Sequence, residues 1–414
     1  MSLSALASTL DAWAGVAERG ADLSAVYDGE GLANARGGES RGGVYLGALH
    51  VLLAVDGDRL LGWPGSTLFL NGLVIHGGHP SGVVGDAQGV SNLEAPAGWQ
   101  IYEAWLQQNL SGNRLSLLIG RYDLNTEFYR LQSASLFLNS SLGVGPEFAQ
   151  SGQAGPSIFP DPAVGARLAV KPTPNSVVRA AILDGVPIDR PGRPGGPAET
   201  RGAFRRGDGL LLVGEVALLT RPISGAALPS GGTRFRIGRG PAYRPYEGKI
   251  AVGGWLYTAA FDDLSAQDLE GNPVRHRGSA GAYVVGDGLL YRSTVHPGRE
   301  LRIFAEAGLG DARVNRFGAY VGGGVTFAGL WPALENDELG LAVAQARNGS
   351  HFLELEGRQD IAANRAETTV ELTDLFQVGT HLAIQPDLQV VVHPGTDPTR
   401  QDAIVLGLRF EASY

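Results

Sequence analysis

Residues 99–139 read WQIYEAWLQQNL, SGN, RLSLLIGRYDL and NTEFYRLQSASLFLN. The first and third blocks are each about a dozen residues long, rich in aromatic and apolar positions. The Ser-Gly-Asn break between them predicts a long antiparallel hairpin. Tyr102, Ala104, Leu106 and Leu110 share one face; Glu103, Gln107 and Asn109 share the other with Ile101 and Trp105. The apolar/polar alternation fits a half-buried strand of a soluble sandwich as well as a strand between lipid and water. The next segment, roughly 35 residues from Asn125 to Pro160, is too long for an ordinary connection. A wide barrel with one long loop (about 125–160) folded inward to narrow the bore accounts for it.

Strand-like segments follow one another along the rest of the chain, near 23–34, 42–55, 66–77, 99–110, 113–124, 162–172, 175–185, 209–220, 248–261, 279–292, 299–309, 314–328, 337–347, 366–377, 381–393 and 402–413. They number sixteen, and most reach 11 residues, whereas soluble strands average about five or six and a tilted membrane-crossing strand needs about 9–11. Joins alternate: tight ones such as PTPN, TVHPG and QVGT, then long polar ones such as HPSGVVGDAQGVSNLEAPAG and GSHFLELEGRQDIAANR. Short turns on one rim and long loops on the other mark a transmembrane barrel. Residues 221–247 and the short DARVN break the rule.

Alternation is clearest late in the chain, where Ile404, Leu406, Leu408 and Phe410 oppose Arg409 and Glu411. Pro386 interrupts the neighbouring strand and predicts a bulge near Gln385. In the hairpin, Arg121 and Asp123 share parity with Leu117 and Ile119, so a slip at Gly120 is expected to turn both charges into the bore. Leu3, Leu6, Leu10, Trp13 and Val16 predict a short amphipathic helix at 1–22, ahead of a barrel over 23–414.

The net charge is −9 without a basic stripe, which argues against a nucleic-acid partner, and no apolar run approaches a membrane-spanning helix. Cysteine is absent, which suits an oxidising compartment. Met1 leads straight into SLSALASTLDAW, so a secretory signal is read as removed. No enzyme signature or cofactor motif stands out. His76-Gly-Gly-His79 lacks a third ligand and reads as a loop tip. Trp63, Trp99, Tyr257 and Trp331 are expected in interfacial girdles.

LLGWPG at 60–65, YEAWLQQNL at 102–110, LSLLIGR at 115–121, FLNSSLG at 137–143, VGARLAVKPT at 164–173 and the end segments LAIQPDLQVVVHPG and DAIVLGLRFEASY occur in collinear order. With them the chain resembles the carbohydrate-selective outer-membrane porins of the OprB type. The resemblance implies a 16-stranded barrel constricted by inward loop segments, passive diffusion of monosaccharides, and the outer membrane of a Gram-negative cell. The chain departs from that pattern in the 220–248 insert and in Leu118, where a basic residue is expected.

Facing places Glu103, Trp105, Arg121, Asp123, Arg167, Lys171, Arg179, Glu215, Asp287, Arg302, Glu306, Glu371, Asp387 and Arg409 in the bore, with Asn125 and Glu127 opening the inward loop. Arg and carboxylate groups suit sugar hydroxyls, provided binding is weak enough to release. For each residue the alternative is a solvated wall charge paired across a strand; for Trp105 it is packing beneath the loop. The expected partners are small neutral sugars, outer-membrane lipid, and the barrel-assembly machinery through the strand ending at Tyr414; monomer and trimer both stay open. The competing readings are a general or anion-leaning porin of this fold and a soluble secreted carbohydrate-binding β protein.

Overall fold

Ser111, Gly112 and Asn113 all adopt left-handed φ, of 53°, 64° and 66°, which is the backbone a Ser-Gly-Asn turn supplies cheaply. They close the hairpin between β4 (Gly98–Leu110) and β5 (Leu115–Tyr122), in register from Leu110↔Leu115 to Ala104↔Arg121. The computed structural model describes residues 20–188, 204–221, 246–296, 298–331 and 337–414. The helix expected from Leu3 to Val16 and nearly all of the 221–247 insert lie outside the described residues.

Sixteen antiparallel strands form one closed barrel in which each strand pairs with its sequence neighbours and β1 (Ala21–Arg36) pairs with β16 (Ala403–Ser413). Between them run β2 (Gly42–Asp56), β3 (Ser66–Gly77), β6 (Ala163–Thr173), β7 (Ser176–Asp184), β8 (Leu210–Thr220), β9 (Gly248–Gln267) and β10 (Pro273–Arg292). The circuit continues through β11 (Glu300–Gly310), β12 (Phe317–Ala328), β13 (Glu338–Asn348), β14 (Ala366–Val378) and β15 (Leu382–Val392). Closure leaves no edge whose amides would need partners in lipid. All sixteen expected segments are strands. Most short turns gather on one rim and most long loops on the other, with the long join at 221–247 and the short joins after β1 and β11 as exceptions. The join expected to be long after residue 261 is instead strand: β9 and β10 are 20 residues each and carry their hairpin beyond the rim.

The sides of the wall decide between barrel and sandwich. Leu218, Ile250 and Val252 are 60%, 63% and 59% exposed, while their ladder neighbours Glu215 and Lys249 are 2% and 5% exposed. Apolar rows therefore face outward and charged rows inward, the arrangement a lipid-facing barrel requires. A solvated sandwich would have it reversed.

Inside, the chain from Asp123 to Pro162 folds into the barrel, carrying three short 3₁₀ turns and a single α turn, α3 (Pro146–Ala149), after α1 (Gly57–Leu61) and α2 (Pro80–Val84) on earlier joins. Phe128, Tyr129, Phe137, Leu142 and Phe148 pack on inward Trp255, Tyr283, Phe304 and Tyr320, all at most 3% exposed. Phe148 stacks on Trp255 with ring centres 4.2 Å apart. One side of the lumen is thus packed core.

Four local expectations are corrected. A bulge beside Asn71 and Gly72 leaves Tyr102 without a ladder partner. Tyr102 therefore turns inward beside Glu103, at 4% exposure, while Ile101 turns out at 55%. No slip occurs at Gly120, so Arg121 stays on the outward parity of Leu117 and Ile119. Pro386 interrupts pairing with β14 only locally: Thr373↔Asp387 and Phe376↔Ile384 keep one register, so no bulge forms. Tyr257 is fully buried and packs edge-on to Phe261 rather than joining a girdle, whereas Trp63, Trp99 and Trp331 are exposed.

An arginine on the outward face should cost about 2–4 kcal/mol at mid-membrane. Leu408→Arg, on the middle of β16 at 53% exposure, should lower the heat-modifiable folded fraction on gels, whereas Leu269→Arg in the β9–β10 turn should not. Equal tolerance of both would show that this face does not meet hydrocarbon.

Candidate functional site

Wall carboxylates hold the inward loop by its backbone. The Glu215 carboxylate accepts from the Tyr129 amide (3.0 Å) and the Tyr283 hydroxyl (2.9 Å). Asp287 accepts from the amides of Gln132 (3.0 Å) and Ser133 (3.2 Å). Glu371 takes those of Leu138 (2.6 Å) and Asn139 (3.0 Å). These are charge-assisted bonds in a shielded interior, stronger than neutral ones. From the loop itself, Glu127 meets Arg167 Nε at 2.6 Å, with both side chains fully buried. Arg167 also reaches Gln107 Oε1 (2.7 Å) and Ser116 Oγ (2.8 Å). Leu118 stands opposite Arg167 in the ladder, so the base expected at 118 comes from the adjoining strand.

Other expected residues also turn inward but serve the packed side. Arg179 and Lys249 each lie 3.2 Å from Glu215. Arg302 donates to the Glu247 carbonyl (2.7 Å), and Glu306 accepts from the Tyr320 hydroxyl (3.0 Å). Trp105 stacks on Phe69 at 4.9 Å and is 2% exposed, which is packing beneath the loop. Asp387 accepts from Gln389 Nε2 (3.0 Å) within the wall, and Lys171 is half-buried near the β6–β7 turn. Arg121 is the misplaced member: it donates to the carbonyls of Pro162 (2.9 Å) and Ile101 (3.3 Å) outside the ladder's inner face. Asp161 lies near Arg121, and burial pushes its carboxyl up to about 6 against that charge.

A cavity of about 220 Å³ lies between the loop and the wall made by β1–β4 and β14–β16. Of the candidate residues, Glu103, Asp123, Asn125 and Arg409 line it. Asp28, His50, Asn71 and Tyr102 line it too and were not foreseen, as do Gln385 and Glu411, which alternation put on the polar faces of their strands. The β1 alternation of Val26, Asp28, Glu30 and Leu32 carried the signal for Asp28; Tyr102 was hidden by the bulge. The Tyr102 hydroxyl donates to Asp123 Oδ2 (2.5 Å), and His50 Nδ1 lies 3.1 Å from Asn71 Oδ1. Across the cavity the loop presents Leu136, Phe137, Val144 and Phe159.

A second segment, 78–97, also leans over the opening. Glu367 accepts from the amides of Ala87 (2.9 Å), Gln88 (3.0 Å) and Gly395 (2.5 Å), and Asn92, Leu93 and Glu94 reach the cavity. Burial, then the nearby Glu367 carboxyl, pushes Asp86 up to about 7. His76 and His79 part company, to Tyr27 (3.1 Å) and Glu94 (3.5 Å). Among the described residues no cluster of three or more His, Cys, Asp or Glu is placed to hold a metal.

A family model described as carbohydrate-selective porin, OprB family, matches residues 40–414. Porin B of Pseudomonas aeruginosa is 24% identical over 437 aligned positions, covering 96% of this chain and 88% of that protein. The high-pH structure of Pseudomonas putida OprB superposes with a TM-score of 0.80 at 20% identity, over 97% of this chain and 96% of that one. The outer-membrane channel DcaP of Acinetobacter baumannii gives 0.53 at 11% identity, over 95% and 97%. At such identities the two structures speak for the fold.

Breaking the Glu127–Arg167 pair on one side leaves a buried charge uncompensated, a loss of about 3–5 kcal/mol. Glu127→Gln should therefore loosen the loop and raise single-channel conductance in planar bilayers. The double change Glu127→Met with Arg167→Met should bring conductance back toward the parent value. Conductance unchanged in Glu127→Gln would contradict the anchoring role.

Proposed function

The chain belongs to the carbohydrate-selective porin, OprB family, a family of channels and not of enzymes, and from that premise we propose that it passes small neutral sugars. Its substrates are monosaccharides or polyols, which diffuse down their gradient across the outer membrane of a Gram-negative cell into the periplasm. One observation carries this reading: the cavity sets polar wall groups against an apolar patch on the loop. Asn71, His50, Asp123 and Gln385 offer donors and acceptors, while Phe137, Val144, Leu136 and Phe159 face them.

A pyranose has hydroxyls around its rim and C–H patches on its faces. Wall groups replace part of its hydration while the loop's apolar side covers a C–H face. Passage demands that no contact be strong. A cavity of about 220 Å³ holds on the order of fifteen waters at the 10–15 Å³ each requires. That is room for one sugar ring of about a dozen heavy atoms with a few waters, and tight for two linked rings. Size thus favours the sugar channel over a general porin.

Outward apolar rows fit lipid as the surrounding solvent. The last strand closes the barrel through Tyr414, whose amide and carbonyl both bond Ala25 at 2.9 Å; this strand is our candidate for the segment engaged during barrel assembly.

In liposome swelling, glucose should enter several-fold faster than sucrose, and glucose should partly block ion current in planar bilayers. Asn71→Ala should weaken that block several-fold. Equal rates for glucose, sucrose and a charged solute of glucose size would instead identify a general porin.

A further inference from the structure

The open side of the interior carries more acids than bases. Cationic side chains are drawn into the packed side: Arg167 to Glu127, Arg179 and Lys249 to Glu215, and Arg302 to the Glu247 carbonyl. On the open side, Arg409 is engaged by Glu30 of the adjoining strand and by Asn92 (2.8 Å). Arg130 is the other guanidinium on the cavity.

Carboxylates lie on both sides, and those lining the open side outnumber its cations. Asp28 and Glu411 are directly paired across the β1–β16 ladder, and both line the cavity. Like charges opposed across a ladder repel, and the Arg409 guanidinium lies close enough to Asp28 to interact with it. Asp123 adds a carboxylate from the β4–β5 side, and Glu94 adds another from the second loop. With the buried Glu103 carboxyl set aside, the lining holds four carboxylates against the two guanidiniums of Arg130 and Arg409. Low-dielectric walls focus such an imbalance along a narrow path, and carboxylate-lined pores favour cations.

We propose that Asp28 and Glu411, juxtaposed on the open side of the lumen, make this conduit selective by charge. It passes cations over anions and, among sugars of equal size, protonated amino sugars over uronates and sugar phosphates. The anion-leaning alternative is thereby disfavoured. The sugar part rests on the reading of the conduit given above; the ion preference can be measured without any sugar, so the two fail separately.

The full-length protein in a planar bilayer under a KCl gradient gives the reversal potential directly. The expected sign is that of potassium passing several-fold faster than chloride. Asp28→Asn combined with Glu411→Gln, checked for folding by its heat-modifiable gel shift, should cut that ratio to less than half. Liposome swelling should rank glucosamine ahead of glucose, and glucose ahead of glucuronate. A reversal potential of zero or of chloride sign in the unmodified protein overturns the proposal, whether or not the double variant folds. An unchanged ratio in the folded double variant overturns the assignment to this pair. Cation preference without any sugar block would leave the charge selectivity standing and remove the sugar reading.

Discussion

The interior of this barrel depends on carboxylates of the wall accepting backbone amides of the inward loop. Glu215, Asp287 and Glu371 project from β8, β10 and β14 and take the amides of Tyr129, Gln132 with Ser133, and Leu138 with Asn139. A segment without long helices or strands of its own carries amides that must find partners once they leave water. The wall supplies them at fixed heights. The aromatic packing of Phe148 on Trp255 and of Phe137 against Phe304 then follows from where those bonds set the loop down.

That anchoring decides the shape of the passage. With the loop pinned on β8, β10 and β14, the opening lies against β1–β4 and β14–β16. The wall there presents polar groups, and the loop turns Leu136, Phe137 and Val144 toward them. Arg167 is drawn to Glu127, and Arg179 and Lys249 to Glu215, while other acids line the conduit. Narrowing and the two-faced lining are two results of one placement.

Much of the fold was legible because a membrane barrel writes its geometry at period two. Strand length, strand number and the unequal rims all followed from alternation and turn residues, and the β6, β11 and β16 faces lie as their alternation requires. Failures came where a local event shifts phase without a mark in the residues. The bulge beside Gly72 exchanged Tyr102 and Ile101, and no glycine slip rescued Arg121 from the outer parity. Proline in β15 was over-read as a bulge, since an interrupted ladder can resume in register.

The site was legible in a narrower sense. Parity tells whether a side chain points inward; it does not tell whether it meets water or another segment of chain. Glu215, Asp287, Glu371 and Arg167 were rightly placed inside, yet their partners are loop atoms dozens to hundreds of residues away. The second inward segment, 78–97, gave no periodic signal and reads as a plain polar loop. The absence of cysteine offers the most direct test of the central claim, that the polar face of the wall surrounds a water path narrowed by the 123–162 loop. Single cysteines at Asn71 on the wall and Ser135 on the loop, treated with a water-soluble thiol reagent during bilayer recording, should each lower conductance in discrete steps, while a cysteine at outward Leu256 should not react. Conductance unaffected by modification at both Asn71 and Ser135, with Leu256→Cys reacting freely, would contradict the account.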